Sequence, residues 1–508
     1  MTVKLVLVRL AIAVSGGVLS SLAMPRENIW PLIFVSVAAL VYSTKDLNIW
    51  SALIVGFGGG FAFYVTQIEW MSLYLGPVPL LALSFLEAVI FAIGLMVSAQ
   101  VWQFLEKTLN FKPAVKNLAV SAALATVFTA REWVAISMPY GGFPWSRLAQ
   151  TQSDSPLADL VFFGGLGFLS WVVAFISVSL LLLVITGKFR ITNHSPNLAI
   201  AVSLVVISLI FTPAVTSENG SLKLAAVQGN ANAGLFANPV RGSILQNHLD
   251  AAANLSTEDK LDLVVWPENA SDLNPLSNSA ARQRITDFVD KQVQTPLVFG
   301  TITARGENLY NSSLLWRPNL GPTDWYDKKR PVPFAEFVPD RDFWYSLAPD
   351  LVGLISRGYS FGERDGIFEL TPGQQVGSLI CFEIAIDEIG RSLVADGAQL
   401  ILSQTNNADF GFSDETYQQF AFARLRAIET GRSIVNISTV GVSGIIDASG
   451  KVTQQLPAFE PGVMIAEVPL RESKTPAFFI AAPFDLANNL GALLLLGFSV
   501  FSKLRRRR

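Results

Sequence analysis

The chain has one cysteine, Cys381, and two histidines, His194 and His248, in 508 residues. A single thiol excludes an intramolecular disulfide. Two histidines argue against a histidine-based zinc site and against a Ser-His-Asp triad. His194 falls in a short basic loop and His248 in a polar, helix-like segment, so both read as solvated surface residues. Charge is scarce as well: Asp, Glu, Lys and Arg make up 15%, where a soluble chain carries roughly 25%. That deficit excludes a wholly soluble protein, and its distribution is uneven. Residues 1 to about 215 are strongly apolar, residues 216–475 have ordinary soluble composition, and residues 476–508 are apolar again before the run Arg505 to Arg508. The net charge of -3 is too small to indicate a partner.

A membrane-spanning helix needs about 20 mostly apolar residues. Eight stretches approach this: roughly 8–24, 29–44, 49–68, 78–104, 117–138, 157–187, 197–215 and 477–502. The first resembles a signal peptide, with Lys4, Arg9 and a small-residue end at Ser21-Leu22-Ala23, but apolar spans follow at once and it reads as retained. Lys4, Arg9, Lys45, Lys107, Lys112, Lys116, Lys188, Arg190, Lys503 and Arg505 to Arg508 fall on one side of such an arrangement. The positive-inside rule makes that side cytoplasmic. Both termini are then cytoplasmic, and residues 216–475 lie outside, between spans seven and eight. On the outer side, Gly141-Gly142 and Pro144 break helix, and Phe143 and Trp145 suit a lipid contact. Arg131 and Glu132 read as a neutralising pair. Gly164, Gly165 and Gly167 read as close helix packing, because no strand precedes them as a dinucleotide loop requires.

Residues 221–475 alternate strand and helix signals. Strands are expected near 222–227, 261–266, 296–301, 310–316, 324–326, 375–380, 400–403, 433–439, 443–447 and 464–468, with helices near 244–255, 279–294, 383–395 and 415–431. The pattern predicts a two-layer α/β domain with mixed sheets. The fold class is therefore a polytopic α-helical membrane domain of about eight spans joined to an α/β domain.

Three strand ends carry chemistry. Val264-Val265-Trp266-Pro267-Glu268 ends on a carboxylate, Tyr326-Asp327-Lys328 on an amine, and Leu379-Ile380-Cys381 on the thiol. A helix starting after Cys381 would favour the thiolate. Glu268, if burial lifts its pKa toward neutrality, can take the thiol proton. Lys328 and the backbone N–H of Phe382 can face a tetrahedral oxyanion. Cys381 would then form a thioester and divide acyl transfer into two steps. Glu336 and Glu383 are placed to orient Lys328 or to line the pocket. Residues 353–361 and 411–417 read as candidate lid loops over a partly dry site.

These residues also form a signature. The soluble part resembles the nitrilase (carbon–nitrogen hydrolase) superfamily, and the whole chain resembles the apolipoprotein N-acyltransferase family. The resemblance rests on Gln228-Gly229-Asn230, Trp266-Pro267-Glu268, Tyr310-Asn311, Lys328, Val332-Pro333-Phe334-Ala335-Glu336-Phe337-Val338-Pro339, Cys381-Phe382-Glu383, Arg424-Leu425-Arg426-Ala427-Ile428-Glu429 and Gly142-Phe143-Pro144-Trp145. It implies an α-β-β-α sandwich, catalytic Glu268, Lys328 and Cys381, and support from Asn311, Glu336, Phe382 and Glu383. It implies lipid or substrate contacts at Trp145, Phe236, Asn407 and Phe410. It also implies a phospholipid acyl donor, a diacylglyceryl-cysteine amine acceptor, a bacterial inner-membrane location, a monomer, no nucleic acid, no metal and no diffusible cofactor. Three positions depart from the pattern. Phe382 lacks the tyrosine hydroxyl, Asp409 stands for a Trp, and Phe236 stands for a Trp, which leaves acyl-chain and headgroup preference open. The alternative activity is that of a membrane-tethered amidase or nitrilase that hydrolyses its own thioester.

Overall fold

A computed structural model describes residues 3–185, 193–234, 237–355 and 358–507. The chain divides into two compact units, one of residues 1–72, 76–212 and 476–508, the other of residues 73–75 and 213–475. Phe236, Lys188 and Arg190 lie outside the described residues.

In the first unit, six helices among the described residues are long and apolar enough to cross a membrane: Val3–Ser21, Ile49–Gln67, Pro77–Thr108, Pro113–Ser137, Pro156–Ile185 and Pro476–Arg505. Two more apolar helices, Leu32–Thr44 and Ser195–Ile210, have 13 and 16 residues. At about 1.5 Å per residue these two reach only about 20–24 Å, short of the ~30 Å hydrocarbon core. Gly165 breaks the span Pro156–Ile185 with φ 74°, a conformation that disfavours any side chain.

The unit buries several charges. Arg131 donates to the Tyr64 hydroxyl at 3.0 Å and lies over the rings of Phe91 and Phe128. Glu132 meets Arg147 at 3.6 Å and accepts from Ser170 Oγ at 2.6 Å and Leu148 N at 2.9 Å. The expected Arg131–Glu132 pair therefore gives way to two separate arrangements, because adjacent side chains on a helix point about 100° apart. His194, expected in solvent, is buried against Asn117.

The second unit holds two six-stranded mixed sheets. One runs β12-β1-β2-β3-β4-β5, the other β11-β10-β9-β8-β7-β6. The strands are β1 (Ser221–Gln228), β2 (Leu263–Val265), β3 (Leu297–Arg305), β4 (Asn308–Arg317), β5 (Gly321–Asp327), β6 (Ile367–Thr371), β7 (Gln374–Ile380), β8 (Leu400–Thr405), β9 (Ile434–Ser438), β10 (Gly444–Ile446), β11 (Val452–Gln455) and β12 (Gly462–Pro469). The parallel pairs β1–β2, β2–β3, β7–β8 and β8–β9 form the sheet centres. They are the near-continuous apolar runs, as strands buried on both faces must be. Leu224, Val265, Val298, Leu315, Val376, Leu402 and Val435 fill the space between the sheets. Leu245, Ala281, Ile285 and Phe288 cover the outer face of the first sheet.

Polar side chains also tie the layers. Gln404 of β8 donates to Trp266 O at 2.7 Å across the sandwich and accepts from Ser313 and Ser378. Thr439 Oγ1 donates to Glu268 O at 2.5 Å. His248 is fully buried, bonded to Ile244 O at 2.8 Å and packed on Trp266, so it is a core residue and not the expected surface one. The edge strands β6 and β11 were not visible in the sequence, since short, half-polar edges lack an apolar run.

Candidate active site

Each candidate residue sits where a strand stops. Pro267 cannot donate to a ladder, so β2 ends and Glu268 turns inward with 4% of its surface exposed. Gly300 N donates to Pro267 O at 2.9 Å and packs directly beneath this turn. A Cβ at Gly300 would lie 2.6 Å from Glu268 Cα, so only glycine lets β3 come this close. Lys328 follows β5 and is held by its own N–H donating to Asn311 O at 2.8 Å. Cys381 follows β7 with φ 54°, a sharp left-handed corner that turns the chain out of the sheet.

The side chains converge. Lys328 Nζ is 2.8 Å from Glu336 Oε2 and 3.7 Å from Glu268 Oε1, and Lys328 is 1% exposed. Asn311 Nδ2 donates to Glu268 Oε1 at 2.7 Å and to Glu336 Oε1 at 2.9 Å. Val332 N donates to Glu336 Oε2 at 2.7 Å. Two carboxylates thus share one ammonium and one amide. Glu268 Oε2 is buried, and the Cys381 thiol bears directly on the carboxylate and holds its pKa down.

The electrostatics follow from this crowding. Burial raises the Glu268 pKa to about 7, against the opposing pull of Lys328 and with a further push from Glu336. Burial alone would lower Lys328, but Glu336 and Glu268 outweigh it and keep the ammonium charged. Burial and the Glu268 charge raise the Cys381 thiol well above its usual range. The expected thiolate-favouring helix start is absent here. A one-turn 3-10 segment, Cys381–Ala385, comes first, and the helix Asp387–Ala395 begins six residues past the thiol. The resting sulfur is a thiol that needs a base.

Glu383 bears on Lys328 only through charge, and its hydrogen bonds go elsewhere. It is fully buried and accepts from Tyr326 Oη at 2.9 Å, Lys329 N at 2.8 Å, Arg330 N at 3.1 Å and Ile380 N at 2.8 Å. It therefore clamps the backbone beside Lys328 to the backbone before Cys381. Asn407, expected to touch substrate, is 1% exposed and spends its amide inside the protein, on Glu415 Oε2 at 2.5 Å and Gln419 Oε1 at 2.8 Å. Phe382 is nearly buried, and Phe410 is half-buried with its ring 6.1 Å from that of Tyr74. Trp145, in the helical unit, is 3% exposed between Trp70 and Phe143, so its indole is a packing element there and not an open lipid contact.

Sequence reasoning missed Gln419, whose Nε2 donates to Cys381 Sγ at 3.4 Å, and Glu415, one helical turn earlier on the same face. The i, i+4 spacing was the available signal. It also missed Tyr359, whose hydroxyl pKa is raised by burial and by Glu336 and Glu268. Among the described residues no cluster of three or more His, Cys, Asp or Glu is placed to hold a metal.

Residues 16–179 match the apolipoprotein N-acyltransferase N-terminal domain, and residues 223–475 match the carbon-nitrogen hydrolase domain. The chain is 31% identical to an apolipoprotein N-acyltransferase of Mycolicibacterium smegmatis, over 92% of this chain and 81% of that one. It is 28% identical to the apolipoprotein N-acyltransferases of Pseudomonas syringae pv. tomato, over 92% of each chain, and Shewanella oneidensis, over 97% and 96%. Among solved structures, an amidase of the nitrilase superfamily from Nesterenkonia is 19% identical over 54% of this chain and 98% of its own, with a TM-score of 0.40. With a helical unit matching one half of the family and a two-sheet unit matching the other, the chain belongs to the apolipoprotein N-acyltransferase family, acyltransferases that share the carbon-nitrogen hydrolase domain.

Proposed function

We propose that Glu268, Lys328 and Cys381 transfer a fatty acyl chain from a phospholipid to the α-amine of a diacylglyceryl-cysteine, through a thioester on Cys381. The observation that carries this reading is the set of buried Glu268 and Lys328 at strand ends, joined by Glu336 from the following loop, beside a thiol. Glu268 takes the thiol proton as Sγ attacks the ester carbonyl. Lys328, with the N–H of Phe382, faces the oxyanion. Collapse breaks the ester C–O bond, and the proton on Glu268 goes to the departing lysophospholipid oxygen. In the second half the amine attacks the thioester, Glu268 receives its proton, and Cys381 leaves as thiolate and is reprotonated. Glu336 and Asn311 keep Lys328 and Glu268 in register.

In the same reading residues 1–215 form a seven-span domain, residues 216–475 the catalytic domain on the extracytoplasmic face, and residues 476–508 a last span with a cytoplasmic basic tail. The loop charges support this orientation. The protein acts as a monomer in the bacterial inner membrane. Incubating the purified chain with phospholipid alone should add one fatty acyl mass that neutral hydroxylamine releases, and adding a diacylated lipopeptide should discharge it into a triacylated product. Cys381→Ala should abolish both. A triacylated product made without Cys381, or an adduct discharged only to water, would overturn the reading.

A further inference from the structure

Around the sulfur, four charged or titratable groups bear on Cys381: Glu268 after β2, Lys328 after β5, Glu336 in the loop that follows, and Glu415 on the helix Glu415–Thr430. A neutral group also reaches the sulfur: the carboxamide Nε2 of Gln419 donates to Sγ at 3.4 Å. We propose that Gln419 is a positioning residue that holds a neutral N–H on the Cys381 sulfur and favours the free thiolate over the thioester, a role that rests on the thioester reading above.

The direction of that amide is built in. Gln419 Oε1 accepts from Asn407 Nδ2 at 2.8 Å, so the Gln419 amino group must point the other way, toward the sulfur. Asn407 is fixed in turn. Its second N–H goes to Glu415 Oε2, and its oxygen accepts from the hydroxyls of Ser438 at 2.6 Å, Thr405 at 3.2 Å and Thr416 at 3.5 Å. Asn407, Glu415 and Gln419 are each at most 2% exposed. The carboxamide is thus oriented through Asn407 by β8, β9 and the helix Glu415–Thr430, and none of these groups is used by the acyl-transfer scheme.

The chemistry gives a reason for a neutral donor. An N–H to a thiolate is charge-assisted, and an N–H to a thioester sulfur is weak. Gln419 therefore stabilises sulfur when it attacks and when it leaves, and releases it while the acyl group is attached. A second cation there would do the same for sulfur but would also lower the basicity of Glu268. The carboxamide acts on the thiol and leaves the base alone. Burial, assisted by the Glu268 charge and opposed by the Asn407 hydrogen bond, raises Glu415 to about 8, so this acid adds little negative charge beside the sulfur at neutral pH.

The test is the pH dependence of Cys381 alkylation by iodoacetamide in the full-length protein in detergent, followed by intact mass. Gln419→Met should move the apparent thiol pKa up by about one unit, a roughly tenfold slower alkylation at pH 7, with the plateau rate at high pH unchanged. Gln419→Glu keeps the oxygen that Asn407 holds but replaces the donor with an acceptor, and should slow alkylation at pH 7 further. If the methionine variant is not recovered folded, the glutamate variant carries the test. A profile that superimposes on wild type, or a slowing that persists undiminished on the high-pH plateau, overturns the proposal. This readout needs no acyl donor, so it fails independently of the thioester scheme, whose failure would show as triacylated product from Cys381→Ala.

Discussion

Replacing Lys328 by methionine separates the two jobs proposed for this ammonium. Its Nζ lies 2.8 Å from Glu336 and 3.7 Å from Glu268, and the side chain is 1% exposed. Losing one partner of a buried ion pair costs about 3–5 kcal/mol of stability, so Lys328→Met should lower the melting midpoint. Losing an oxyanion donor costs about 2.7–4 kcal/mol of barrier, a loss of roughly 10²–10³ in rate. The third consequence is electrostatic. Without the cation, two buried carboxylates joined by Asn311 face each other and cannot both ionise. Glu268 must be ionised to accept the thiol proton, so activity in the wild type should rise as pH increases through about 7. In Lys328→Met the opposing pull of the ammonium is gone, the Glu268 pKa rises, and the acid limb should shift to higher pH. The assay is the single-turnover rate of acyl-adduct formation between pH 5.5 and 9, normalised to folded protein. A loss of less than tenfold would refute the oxyanion role, and an unmoved acid limb would refute the shared-charge account.

Gly300→Ala should reduce adduct formation by about 10², because a Cβ 2.6 Å from Glu268 Cα and 2.7 Å from Pro267 O must displace the turn that carries the base. Near-wild-type rate in that variant would show that the turn is not held as tightly as the packing indicates. Topology is checked by Lys451→Cys in a Cys381→Ala background, which should react with an impermeant maleimide from the extracytoplasmic side. Labelling only after the inner membrane is breached would reverse the orientation.

The residues proposed to act at strand ends were legible because two simple signals coincide there. A buried strand such as β2 or β7 is an apolar run, and a polar residue closing it can point nowhere but into the space at the sheet's end. The residues that support them were less legible, each for a physical reason. Glu383 looked like a pocket acid, but its contacts are backbone N–H groups of Lys329, Arg330 and Ile380, and no sequence pattern announces which main chain passes by. Glu415 and Gln419 lie on a helix whose polar face looks solvated. Tertiary packing buries that face and turns it into the floor beneath the sulfur. His248 misled in the same way, since a polar helix can still present one side chain to the core, here against Trp266. Trp145 has the amphipathic ring of an interface residue, but Trp70 and Phe143 enclose it.

The proposed base and the ammonium come from one sheet, and the proposed nucleophile comes from the other. Gln404 and Thr439 are among the polar rivets between them. The distance from carboxylate to sulfur is therefore a measure of how far apart the two sheets stand, set by side chains such as Leu224, Val265 and Leu402 that never meet a substrate. Loosening that interior by a few tenths of an ångström leaves every strand paired within its own sheet, yet moves proton donor and acceptor out of reach. On this account turnover should be lost on heating before strand structure is, because the layers can part while each sheet stays paired.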